Sequence, residues 1–223
     1  MKPIGIELKH LSFAYGNSPN VLDGISLELE FGSSYLIRGN TGSGKSTLLQ
    51  IFCAMKRPTE GDCLLGGQPV SRWTAPHRDR WRGNMGFAPQ DPLLLPHLTV
   101  AENIMLPLIT QNLTQPEIDT VVREAIEELD LLHLATQRIS QCSGGEAQRV
   151  SLARAIAKQP TYLFLDEPSS HQDDVHLSQL LSFLDRKKGT KTIQVVTSHD
   201  PRLQSSCHFD MQLELSAGQL EVL

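Results

Sequence analysis

Residues 39–47 read Gly-Asn-Thr-Gly-Ser-Gly-Lys-Ser-Thr, and no other stretch of the 223-residue chain restricts its fold as strongly. The run satisfies G-x-x-x-x-G-K-S/T in full. Its glycines let the backbone curl until several N–H groups converge on one point, where they can hold an anion. SSYLIRG before it has the apolar character of a buried strand, and STLLQIFCAM after it has the apolar spacing of a helix. A strand–loop–helix of this kind is a phosphate cradle: Gly39, Asn40, Thr41, Gly42, Ser43, Gly44, Lys45, Ser46 and Thr47 are candidate nucleotide-binding residues. Within them Lys45 is placed to reach β- and γ-phosphates, and the Ser46 hydroxyl to ligate Mg²⁺.

The rest of the chain supplies a sheet for that unit. Period-two alternation in IGIELKHLSF and ISLELE predicts antiparallel strands ahead of the loop. MGFAP after Arg82 reads as a short strand. From Asp91 to about Lys158 the pattern turns helical, through LTVAENIMLPLI, QPEIDTVVREAIEELDLL with Thr114 as N-cap, and GGEAQRVSLARAIA. Strand TYLFLDEP, helix VHLSQLLSFLDRK, strand TIQVVTSHD and a closing hairpin FDMQLELSAGQLEVL follow. Buried strands alternating with helices predict an α/β fold with a mainly parallel sheet, helices on both faces and an N-terminal antiparallel β subdomain. Without repeats or linker-like segments, residues 1–223 read as one unit with a helical insertion at about 91–158.

Composition excludes several classes. A net charge of −5 argues against a broad nucleic-acid face, and the densest basic run, His77–Arg82, reads as the solvated side of a short helix. No apolar run approaches the ~20 residues that span a bilayer, and MKPIGIELKH is unlike a signal peptide, so the expectation is a cytoplasmic chain without direct membrane insertion. Cys53, Cys63, Cys142 and Cys207 form no CxxC pair and read as reduced thiols.

Two further sites carry chemistry. YLFLDEP ends a buried strand on two acids, where Asp166 can hold magnesium and Glu167 can polarise an attacking water. QCSGGEAQR, residues 141–149, places Ser143, Gly144 and Gly145 at a helix start, a second potential anion site built from free N–H groups. A GTPase or small-molecule kinase explains the first cradle equally well but leaves the second unexplained.

The order of the glycine loop, QCSGGE, LFLDEP and VVTSHD resembles the ATP-binding subunit of ABC (ATP-binding cassette) transporters, over essentially the whole chain. The resemblance implies the ABC ATPase fold, ATP and Mg²⁺ as ligands, and hydrolysis that powers a separate membrane permease. It also implies two cassettes facing head to tail, as homodimer or heterodimer, with each Ser143-Gly144-Gly145 signature closing over the partner's ATP. By the same resemblance Tyr15 in LSFAYG stacks on adenine, Gln90 in GFAPQD reaches magnesium and the water, and His199 contacts the γ-phosphate. The catalytic set it implies is Glu167, His199, Gln90 and Lys45, the metal set Ser46, Gln90 and Asp166. The chain is then expected at the cytoplasmic face of the inner membrane. The SGGE form and HLTVAENIMLPL look most similar to the lipoprotein-releasing and macrolide-exporter cassettes, which points towards export or extraction.

The residues alone leave alternatives open. A soluble cassette assisting iron–sulfur cluster assembly also carries SGGE, and a module using ATP only as glue would fit a weakened site. A chromosome-maintenance ATPase needs a long coiled-coil insertion, and fewer than a hundred residues separate Ser46 from Ser143. Three positions depart from the family pattern: Cys142 for leucine, Glu146 for glutamine, and His171-Gln172 in Ser170-His171-Gln172-Asp173, where Ser-Ala-Leu-Asp is usual. The last could weaken self-pairing or favour another partner. Pro92, Leu93, Leu94, Leu95 and His97, after Gln90, either meet the permease or cover the helical insertion.

Overall fold

The computed structural model describes residues 3–170, 172–205 and 208–223; His171 and Cys207, both singled out above, lie outside the described residues. Two sheets are built as the alternation predicts. Strand β1 (Ile4–Ala14) pairs antiparallel with β2 (Asn20–Glu30). Next come β3 (Ser34–Arg38), α1 (Lys45–Phe52), β4 (Glu60–Leu65) and β5 (Gln68–Pro69). Strand β4 pairs with β1 on the side away from β2, giving a first sheet of order β2-β1-β4-β5. EGDCLL opens on Glu-Gly-Asp and has no clear period, so this strand was not visible in the sequence; its pairing with β1 makes it one.

The second sheet holds the cradle. After α2 (Ala75–Arg82) come β6 (Met85–Ala88), α3 (Val100–Met105), α4 (Gln115–Glu128) and α5 (Gly144–Ile156). The chain closes with β7 (Tyr162–Asp166), α6 (Asp174–Lys187), β8 (Ile193–Thr197), α7 (Pro201–Gln204), β9 (Met211–Ser216) and β10 (Gln219–Val222). The order is β10-β9-β3-β8-β7-β6, parallel throughout except for the terminal β9–β10 hairpin. Strands β3, β7 and β8 are therefore neighbours, and their carboxyl ends lie side by side.

Burial along β7 explains why its sequence is continuously apolar. Leu163 and Leu165 belong to the core that also holds α3 to α6, whereas Tyr162 and Phe164 face the core shared with α1 and the first sheet. Val195 and Val196 of β8 divide in the same way. With both faces covered, both are mostly apolar, and the buried polar exceptions are bonded: Gln194 Nε2 donates to Leu184 O at 3.1 Å and Thr197 Oγ1 to Asp166 Oδ1. The Phe52 and Phe164 rings, 5.6 Å apart between centroids, join α1 to β7.

Local signals set the helix starts. Thr114 precedes α4, and the Glu117 carboxylate accepts from its backbone N–H and its hydroxyl, each at 2.7 Å. Thr99 caps α3 in the same way with Glu102. The run HRDRWR does form a short helix, α2, but only part of it is solvated: Trp81 stacks on Trp73, and the Arg78 and Arg82 guanidinium groups donate to the carbonyls of Trp73 and Ala54. No helix among the described residues is long and apolar enough to cross a membrane.

One buried polar residue organises the segment between β6 and α3. Asn103 is fully buried; its Oδ1 accepts from Leu95 N at 2.8 Å, and its Nδ2 donates to Leu95 O at 3.1 Å and Thr99 O at 3.0 Å. It satisfies a turn that has no secondary-structure partner. Leu94 can then pack on the helical core while Leu93 stays 72% exposed and Leu95 40% exposed. Leu94 thus covers the helical segment, while Leu93 and Leu95 are left at the surface. Asn103→Ala leaves the Leu95 N–H unpaired and the Leu95 carbonyl with only the Leu98 N–H, so stability should fall by about 2 kcal/mol and the melting midpoint by about 4–8 °C in calorimetry.

Candidate nucleotide-binding site

The cradle forms where β3 stops and α1 starts. Gly42 and Gly44 adopt φ of +82° and +105°, values that a side chain would strain, and Gly44 serves as N-cap of α1. These turns bring Lys45 back over its own loop. Lys45 is 6% exposed, and its Nζ donates to Gly39 O at 2.7 Å and Asn40 O at 3.2 Å. The same ammonium lies 3.3 Å from Glu167 Oε1.

The acid pair is held from the neighbouring strand β8. Asp166 ends β7, is 4% exposed, and its Oδ1 accepts from Thr197 Oγ1 at 2.6 Å. Glu167 follows in a left-handed conformation, φ +49°, with its N–H bonded to Thr197 O at 3.0 Å. A non-glycine residue held there costs about 1–3 kcal/mol and persists only where its surroundings enforce it. Here they do. Glu167 Oε1 lies 3.0 Å from His199 Nδ1, and Oε2 accepts from His199 N at 3.1 Å. The carboxylate, 5% exposed, therefore bridges an ammonium of the glycine loop and the imidazole after β8.

A cleft of about 240 Å³ opens above these groups. It is lined by Tyr15, Val21, the loop from Thr41 to Thr47, Gln90, Glu167 and His199. Residues spread over 185 positions of sequence meet at one cavity, with Asp166 directly behind Glu167 in the chain. Tyr15 stands at its rim, half-exposed, with its hydroxyl 2.9 Å from Thr47 Oγ1 and its ring edge-on to Phe13 at 4.9 Å. Lys56 Nζ lies 4.6 Å from the Tyr15 ring centroid, a cation–π contact. Val21 and Lys56 went unnoticed in the sequence; neither belongs to a motif, and only the fold brings them to Tyr15 or the cleft.

Ser143, Gly144 and Gly145 do not line this cleft. They form the start of α5, where Ser143 Oγ accepts from Glu146 N at 3.3 Å and Glu146 Oε2 accepts from Ser143 N at 2.6 Å. Glutamate at position 146 thereby closes a capping box, while the N–H groups of Gly144 and Gly145 have no helical acceptor. Cys142 is half-buried beneath this turn, with Sγ directed to Arg138 O. The Ser143 hydrogen bonds hold the Glu146 carboxyl below the ordinary glutamate range.

A glycine loop at the carboxyl end of a parallel strand, with an acid pair at the end of a nearby strand and a histidine just after the strand between, defines an ATP-binding α/β ATPase core. The chain matches the family described as ABC transporter over residues 22–170, and it belongs to that family as an ATP-binding, ATP-hydrolysing transporter subunit. It is 34% identical over 203 residues to the lipoprotein-releasing system ATP-binding protein LolD of Leptospira interrogans serogroup Icterohaemorrhagiae serovar Lai (strain 56601), covering 90% of this chain and 85% of that one. Among solved structures, the dimeric ATP-binding cassette MJ0796 in a post-hydrolysis state bound to ADP and Pi superposes with a TM-score of 0.89 at 27% identity, covering 97% and 96% of the two chains. The fold also matches cbiO1 from Clostridium perfringens, part of the cbiONQ transporter complex, with a TM-score of 0.85 at 24% identity over 98% and 87%.

The iron–sulfur alternative is not favoured. The chain's matches are to a transporter family and to transporter cassettes, and Cys53 and Cys63 are both buried. No group of three or more His, Cys, Asp or Glu placed to hold a metal occurs among the described residues.

The capping box gives the signature turn a defined pH response. Because the folded-state value of Glu146 is lowered, its stabilisation is fully present above the ordinary glutamate value of 4.5 and fades as the pH falls through the lowered one. The protection of the Ser143 amide against exchange, taken relative to its intrinsic rate at each pH, should fall across that acid window in the native chain. In Glu146→Gln, whose side chain does not titrate, that fall should be absent.

Proposed function

We propose that this chain binds ATP at the cleft with its adenine against Tyr15 and its phosphates on Gly39 to Thr47, and that a second cassette supplies the other wall. The observation that carries this reading is the separation of the two anion sites. Tyr15, the glycine loop, Gln90, Glu167 and His199 share one cleft, whereas Ser143, Gly144 and Gly145 stand outside it, the N–H groups of Gly144 and Gly145 without a helical acceptor. A second chain turned head to tail would place its own signature over the phosphates, and the dimeric cassettes among the solved relatives support such a pair.

The residues divide the work by charge. Lys45 exchanges the Glu167 carboxylate for phosphate oxygens, a charge-assisted contact in a cleft sheltered from water. Glu167, released on that side and steadied by His199, orients the attacking water and takes its proton. His199 also faces the γ-phosphate, and the partner's signature N–H groups take up charge that develops there. Ser46, Gln90 and Asp166 would hold Mg²⁺; all three offer oxygen, the donor a hard cation selects, and Thr197 engages only Oδ1 of Asp166. Bound there, the ion neutralises charge on the β- and γ-phosphates.

Closure of the pair powers a membrane permease at the cytoplasmic face of the inner membrane. Exposed Leu93 and Leu95, close in sequence to Gln90, form the surface that meets it. The relation to a lipoprotein-releasing cassette favours extraction or export of a membrane-held substrate over import.

Glu167→Gln should keep ATP affinity, lose about a hundredfold or more of hydrolysis and accumulate closed pairs; full turnover would remove Glu167 from this role. Lys45→Ala should show no ATP binding by calorimetry, and unchanged affinity would overturn the cradle assignment. Affinity isolation of the Glu167→Gln chain with ATP and Mg²⁺ from detergent-solubilised membranes should bring down a multi-span protein. A soluble scaffold in its place would overturn the permease.

A further inference from the structure

The loop between the acid pair and α6 carries glutamine at position 172, where an apolar residue would be expected. Its side chain turns inward. Nε2 donates to Gly145 O at 3.1 Å, across 27 positions of sequence and onto the signature turn itself. The backbone carbonyl of Gln172 accepts from the Arg202 guanidinium at 3.3 and 3.4 Å. That guanidinium also pairs with Asp174 at 2.7 Å and with Asp200, the residue after His199, at 2.8 Å. A single residue therefore joins the start of α5 to the segment that carries His199.

Packing alone does not account for it. Gln172 Oε1 is buried without a partner, and the small cavity it lines is also lined by Gln179 and Arg149, whose Oε1 and Nε are unpartnered too. A buried, half-satisfied amide is costlier than leucine of similar size. The one thing glutamine adds is the donor to Gly145.

We propose that Gln172 is a positioning residue: it ties the Ser143–Gly145 turn to the loop behind Glu167, so that the signature offered to a partner's ATP is set by the state of the chain's own cleft. This rests on the two-cassette reading above. The tie runs through one amide, so two variants that both lack its donor but differ in acceptor and charge test it together. Gln172→Leu keeps the volume, and Gln172→Glu keeps an acceptor.

The experiment uses the full chain in the Glu167→Gln background, titrated with ATP and Mg²⁺, with pairing followed by sedimentation velocity. Both variants should need about two- to tenfold more ATP for half-maximal pairing, the scale of one lost hydrogen bond. ATP affinity measured by calorimetry at concentrations below pairing should not change. Gln172→Leu should melt no lower than its parent, which a merely structural role does not predict. Unchanged pairing in Gln172→Leu overturns the assignment, as does a shift in pairing fully matched by loss of melting temperature. Ser143→Ala in the same background separates the two levels. If it shifts pairing and Gln172→Leu does not, only the role of Gln172 falls; if Ser143→Ala has no effect, or the parent does not pair, the two-cassette reading falls and this proposal with it.

Discussion

A carboxylate 5% exposed has to be paired, and Glu167 meets that demand with groups from two other strands' ends. Lys45 arrives from the loop after β3 and His199 from the loop after β8, while the β8 residue Thr197 holds both Asp166 and the Glu167 backbone. Removing any of them would leave a buried charge or a left-handed residue unsupported. The arrangement requires β3, β8 and β7 to be neighbours with carboxyl ends aligned, which is the observed order. Strand order, in this sense, is a condition of the site's electrostatics.

Features whose causes lie within a few residues could be read directly from the chain. The glycine loop, the Thr114 cap, the terminal hairpin and the mostly apolar strands β7 and β8 all follow from local conformation or from covering both sheet faces. Features caused by distant partners could not. Strand β4 has too many polar residues to show a period and exists through its pairing with β1. Asn103 resembles any helical asparagine until the Leu95 turn is folded against it, and Lys56 meets Tyr15 only because α1 ends near β1. The motif residues of the cleft were accessible by their order along the chain, whereas Val21 has no motif to mark it.

Glu146 shows how a departure from a pattern can be neutral in chemistry and still informative. Its carboxylate bonds to the Ser143 backbone, which glutamine can also do, so the signature turn keeps its geometry. What changes is the charge. An acid at the third helical position is favoured by the positive end of the helix, yet it adds a negative group beside N–H groups meant for phosphate. Engaging that carboxylate with Ser143 N–H at 2.6 Å turns it away from Gly144 and Gly145.

Helix α5 is the element on which the remaining relations converge. Its body is buried in the core of the helical segment, with Val150 and Ala153 fully covered, and it lies tightly against β6, where a side-chain carbon on Gly86 would meet Ala155 O at 2.2 Å. Close contact of that kind transmits displacement instead of absorbing it. Near its start, Gln148 Nε2 reaches Pro89 O at 3.5 Å, one residue before Gln90, and Gly145 O accepts from Gln172. The helix is thus tethered beside Gln90, a lining residue of the chain's own cleft, and beside the loop that follows Glu167. Because Gly144 and Gly145 do not line that cleft, a shift at Gln90 or Gln172 moves a helix start outside it, and under the proposed two-cassette reading that helix start is what the second cassette receives.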